Sequence, residues 1–172
     1  RAHRRGLIAG VLLASLAQIL AERDIRCEIR GHGWQSATGA SPWPVDLVSA
    51  ICRAKMLLHA NTTGELSPWA LTAAGLGTAV LLRRHPLDDA PGGPARILAD
   101  GSECLFFSAS DDLVRQACDL RDAPERLAAI AARAARRVTS DHVPIARLRD
   151  LGAAASSLST DPAPSPKSKD HK

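Results

Sequence analysis

The stretch that most constrains this chain runs from Met56 to Arg84, MLLHANTTGELSPWALTAAGLGTAVLLRR. It opens with an apolar run, Met56–Ala60, that reads as a short buried strand, followed by a polar, glycine-bearing loop, Asn61–Glu65. Ser67-Pro68 then marks a helix start. A serine hydroxyl accepts from a backbone N–H that the first turn leaves unpaired, and proline suits the first helical position because its missing N–H costs nothing there. Gly75 and Gly77 stop that helix, and Thr78–Leu82 resumes as a second buried strand. Strand, loop, helix and strand in this order form the unit that closes a parallel crossover. The loop and first helical turn of such a unit lie at the carboxyl edge of the sheet. Backbone N–H groups and the positive end of the helix dipole there favour an anion such as a phosphate. The same unit also serves as an ordinary crossover that binds nothing.

The segments on either side extend the pattern. From Leu7 to Glu22, Ile8, Leu12, Leu16, Ile19 and Leu20 share one helical stripe, with Gln18, Glu22 and Arg23 on the other side. Arg4-Arg5 ahead of Gly6–Ala17 imitates a secretory leader. The stripe continues past the point where a leader would be cut, and the run is too short to span a bilayer comfortably, so a core-facing helix is expected. Ile25–Arg30 alternates Cys27 and Ile29 with charged neighbours and is expected to be a strand. Gly31–Trp34 reads as a tight loop and Gln35–Pro44 as a longer one. A helix is expected from Val45 to Lys55, with Leu47, Val48, Ile51 and Ala54 facing inward.

Beyond Arg84, His85–Pro94 is a loop and Ala95–Ala99 a helical turn. Glu103–Phe107 is a strand, and Ser110 caps a helix whose Asp111 and Asp112 complement the dipole and which ends near Leu120. Pro124 opens a long helix with Leu127, Ile130, Ala131, Ala134 and Val138 in one stripe. Arg126, Arg133, Arg136 and Arg137 lie off it and read as a solvated outer face rather than a binding patch. A last helix covers Pro144–Ala155, and the Ser/Pro/Lys-rich segment 156–172 is expected to be a disordered tail on a single domain spanning 1–155.

The alternation of strands and helices is that of an α/β fold, a Rossmann-like doubly wound parallel sheet. Right-handed crossovers then bring four loops to one edge: Gly31–Trp34, Asn61–Glu65, His85–Asp89 and Ser108–Ser110. The three tryptophans, Trp34, Trp43 and Trp69, fall in or beside two of these segments, which suits a flat ligand such as a nucleobase as well as it suits packing. The net charge of +4 is mild, and aromatics make up 3% of the chain, a poor basis for nucleic-acid binding. Cys27, Cys52, Cys104 and Cys118 have no ligand spacing and sit in apolar patterns, so they are expected to be reduced core residues of a cytoplasmic protein, with no metal site.

Five segments resemble the carboxyl-terminal, nucleotide-sugar-binding half of GT-B glycosyltransferases, in particular the group-1, CgeB-like proteins. They are Ile29–Gln35, Ala50–Asn61, Ser67–Leu82, Leu98–Leu120 and Asp122–His142, about two thirds of the chain in the family's order. The resemblance implies sugar transfer from a nucleoside-diphosphate sugar to an acceptor, without a resident cofactor or metal. It also implies an amino-terminal partner half, in the same or a neighbouring chain, and at most a peripheral contact with membrane. The donor-binding residues it implies are Arg30, Gly31, His32 and Trp34, then Asn61, Thr63, Gly64, Glu65, Ser67, Trp69 and Thr72, with Arg83. Arg84 is a further candidate charge partner for the diphosphate, and no catalytic residue is assigned. The chain departs from the family pattern at two positions. Thr72 stands where many members carry the acid that holds the donor ribose, and Trp69 where many carry a basic residue. A charge-assisted hydrogen bond of that kind contributes about 1.5–3 kcal/mol. Such a half is expected to be inactive alone. Two alternatives stay open: a degenerate, non-catalytic α/β module kept for protein–protein contact, and a flavodoxin-like domain with another phosphate ligand at the same edge.

Overall fold

A computed structural model of the chain describes residues 2–29 and 47–159. In chain order the elements are α1 (Ala2–Ala21), α2 (Leu47–Arg53), β1 (Met56–His59), α3 (Pro68–Gly75), β2 (Ala79–Arg83), α4 (Pro94–Ile97), β3 (Leu105–Phe107), α5 (Ser110–Asp122), α6 (Pro124–Asp141) and α7 (Pro144–Ser159). The three strands form a parallel sheet in the order β1-β2-β3, with Leu58 opposite Leu81 and Leu82 opposite Phe106.

Helices cover both faces of this sheet, and the apolar run of β2 follows from that. A parallel strand buried on both sides has no polar face to alternate with, and Ala79, Val80, Leu81 and Leu82 are all buried. On one face Ala79, Leu81, Leu105 and Phe107 pack with Leu16 and Leu20 of α1 and with Leu113, Ala117 and Leu120 of α5. On the other, Val80, Leu82 and Phe106 pack with Ile51 of α2 and with Ala70, Ala73 and Ala74 of α3. Those three alanines are fully covered, so α3 lies close against the sheet because it has no larger side chains there. The stripe of α6 serves both faces, with Ile130 and Ala131 in the first cluster and Ala134 and Val138 in the second. Val138 sits against Gly75 at the end of α3, so α6 crosses beneath the amino-terminal end of the sheet.

Chemistry visible in the sequence closes α3 at both ends. Ser67 Oγ accepts from the Ala70 amide at 3.2 Å. At the other end Gly77, at φ +81°, lets its own amide reach Ala74 O and the Thr78 amide reach Ala73 O. This paired closure needs a left-handed residue, which glycine supplies without a Cβ penalty. The Thr78 hydroxyl then donates to Ile51 O at 2.9 Å, tying the end of α2 to the start of β2.

Several expectations are corrected. Residues 25–29 form no strand: the backbone turns back through left-handed Asp24, and the Ile25 amide bonds to Leu20 O, extending the closure of α1. A short alternation creates no partner strand, and Cys27 is exposed. Cys52 is exposed too, while Cys104 is buried and Cys118 packs at the core margin. In α2 only Ile51 is buried. Leu47 is partly buried and packs beside it, whereas Val48 is 50% exposed and Ala54 is exposed, because so short a helix turns few positions towards the core. Ser110 is the first residue of α5, not its cap. The cap position is Ala109, which makes no side-chain cap bond, and Asp112 in the first turn instead accepts from the Ser108 amide ahead of the helix at 3.2 Å. Two of the α6 arginines are tied down rather than simply solvated: Arg133 donates to Ser102 O and Arg137 to Ile97 O. The last helix runs to Ser159, and among the described residues no helix is long and apolar enough to cross a membrane. The loops 31–34 and 35–44 and the tail beyond residue 159 lie outside the described residues.

Candidate functional site

Two loops meet where β1 and β2 end. After His59 the chain enters the turn 60–67, and Asn61 takes a left-handed conformation at φ +42° while only 1% exposed. Its side chain makes that turn possible. Asn61 Oδ1 accepts from the Gly64 amide at 3.0 Å, and Asn61 Nδ2 donates to Asp88 Oδ1 at 2.8 Å. Asp88, 3% exposed, accepts from the His85 amide on its other oxygen at 2.8 Å. The loop after β1 is thereby fastened to the loop after β2 by three hydrogen bonds in series. Gly64, at φ +80°, packs so tightly on His85 and Leu87 that no side chain fits.

Beside this junction lies a cleft of about 340 Å³ between Leu13 of α1, the tip of β1 and the start of α3. Leu13, Leu58, Leu66 and Pro68 supply apolar wall. Asn61, Thr62, Thr63, Glu65 and Ser67 supply the polar part, together with His59. His59 Nε2 lies 3.3 Å from Glu65 O, which requires the ring to donate there. Burial holds the His59 pKa below the usual histidine range, and the bond to Glu65 offsets that in part. Among the described lining residues Glu65 is the one charged group, with no lysine or arginine. An anion in this cleft would meet hydroxyls, an amide side chain and the positive end of α3, which contributes about 0.3–1 kcal/mol, rising towards 2 in partly buried sites.

The expected site residues divide clearly. Asn61, Thr63, Glu65 and Ser67 come together at the cleft, and Gly64 shapes the turn behind them. Trp69, 41% exposed, and Thr72 lie further along α3, outside the lining. Arg83 is half-buried at the end of β2, also outside it. Arg84 is engaged elsewhere, paired with Asp100 and stacked 4.9 Å from the Phe106 ring centroid. Arg30, Gly31, His32 and Trp34 lie outside the described residues. Sequence reasoning missed Leu13, His59 and Asp88. Two traces of Asp88 are legible: the loop His85–Asp89 is expected at the same edge as Asn61–Glu65, and a buried-strand tip ending in Asn61 carries an amide that needs a partner. Among the described residues no cluster of His, Cys, Asp and Glu is placed to hold a metal ion.

A family model described as glycosyl transferase-like matches residues 5–153. No curated protein matches the chain.

Proposed function

The chain belongs to the glycosyl transferase-like family, and from that premise we propose that it is the donor-holding half of a GT-B, CgeB-like enzyme. In this reading the chain binds a nucleoside-diphosphate sugar, and a partner half, in the same or a neighbouring chain, brings the acceptor for transfer in the cytoplasm. The observation that carries the reading is the cleft itself. It opens at the carboxyl end of β1, beside the Ser67-capped start of α3, where a sheet of this kind holds phosphate-bearing ligands. Its apolar wall suits a base or sugar ring, and its hydroxyls suit the diphosphate. The leaving diphosphate would be stabilised by the helix start and by basic side chains, with Arg83 at the end of β2 as a candidate, rather than by a metal. No residue of this half is assigned a bond-making role, and the half alone is not expected to transfer sugar.

Isothermal titration with UDP, GDP and their glucose and mannose conjugates tests the reading. Saturable binding of one nucleotide, weakened by Ser67→Ala or Thr63→Ala, supports it, and no binding of any of them overturns it. A second reading, a non-catalytic module kept for contact with another protein, is favoured by Thr72 in place of the ribose-binding acid and by the lack of arginine or lysine among the described lining residues. It predicts that none of the nucleotides binds.

A further inference from the structure

We infer that Asp88 is a positioning residue for this cleft, shaping the turn 61–65 through Asn61 without lining the cleft itself. The inference rests on the proposed donor site for its ligand, and on geometry for everything else. Asp88 and Asn61 stand 27 residues apart, and both side chains are almost wholly buried. A carboxylate can only accept, and both Asp88 oxygens do so, from Asn61 Nδ2 and from the His85 amide. An amide side chain both accepts and donates, and Asn61 does both, towards Gly64 and towards Asp88. The polarity of the series is therefore fixed: acceptor at 88, dual group at 61. With that series intact, Asn61 is held at its left-handed φ and the next residues, Thr62 and Thr63, are turned to the cleft wall. Without it, the turn has to find another conformation for a buried polar side chain, and the wall loses its shape.

The polarity argument yields a sharp test. In Asp88→Asn the side chain at 88 no longer accepts on both atoms, and in Asn61→Asp two carboxylates face each other. In the exchanged double variant N61D/D88N every bond can re-form. The carboxylate at 61 accepts from the Gly64 amide and from the new amide group at 88, whose carbonyl accepts from the His85 amide. Hydrogen exchange at the Gly64 amide reads the turn directly and needs no ligand. Calorimetric titration with UDP, at a temperature where every variant is folded, reads the cleft.

Each single variant is expected to speed Gly64 exchange and to weaken UDP binding, each by about tenfold or more. The exchanged variant is expected to recover Gly64 protection to near the wild-type level. Wild-type exchange at Gly64 in both single variants, or an exchanged variant no better protected than they are, overturns the inference. So does full UDP affinity in Asp88→Asn alongside lost protection, which would leave Asp88 a purely structural brace. Failure of the wild-type chain to bind UDP or any other donor nucleotide instead counts against the donor reading, and the exchange result still decides the role of Asp88 in the turn.

Discussion

A Cβ atom placed on Gly64 would lie 2.7 Å from His85 Nδ1 and 2.8 Å from Leu87 Cβ. The turn after β1 and the loop after β2 are in full contact at this point, so the loop after β2 helps to shape the cleft although the turn 60–67 supplies most of its lining. His85 is not free to swing away, because its Nδ1 accepts from the Leu87 amide at 3.2 Å and its own amide is held by Asp88.

Gly64→Ala therefore combines two penalties. The left-handed backbone costs a residue with a Cβ roughly 1–2 kcal/mol, and overpacking adds about 1–3 kcal/mol. Urea denaturation is expected to show a loss of about 2–5 kcal/mol from these terms together. A loss below about 1 kcal/mol would mean that the two loops are not in contact.

His59 gives a pH signature. Its pKa in the folded protein is depressed, chiefly by burial, so the folded state binds fewer protons than the unfolded state once pH falls into the ordinary histidine range. Stability then rises with pH through that range and falls as pH drops below it, with no contribution from this group well above it. Melting temperatures followed from pH 8 to pH 5 are expected to fall more steeply for the wild type than for His59→Gln, and equal slopes would contradict the assignment.

Arg84 and Asp100 are expected to differ in weight. Their ion pair is largely exposed, and the stacking of Arg84 on Phe106 adds about 0.5–1 kcal/mol, so Arg84→Ala should cost little more than that. Asp100 Oδ1 also accepts from the Phe106 amide, in the middle of β3, at 3.0 Å. Asp100→Ala thus removes a second, partly buried bond and should cost about 1–2 kcal/mol more in the same denaturation measurement.

Ala73 tests the close approach of α3 to the sheet. It is fully buried, and Ala73→Leu has no space to enter without moving α3. Overpacking of this kind costs about 1–3 kcal/mol. Ser67→Ala, by comparison, removes only the cap and should cost about 1 kcal/mol, while also weakening nucleotide binding. A larger stability loss for the cap variant than for Ala73→Leu would reverse this ranking.

Local chemistry carried much of the fold in plain view. Ser67-Pro68 starts α3 and Gly77 ends it by short-range hydrogen bonding, which depends on residue type and spacing alone. The apolar run of β2 and the stripe of α6 announced which side chains would be buried, because a period of two or 3.6 places them on a face whatever they face. What lies opposite each face was decided by packing. Only the folded chain shows that α6 serves both faces of the sheet, or that residues 25–29 pair with no strand among the described residues. Only there does Arg84 turn to Asp100 and Phe106 instead of the cleft, and Asp88 meet Asn61. Such pairings join residues far apart along the chain, and their energies depend on distance and burial, quantities that exist only once the backbone has closed.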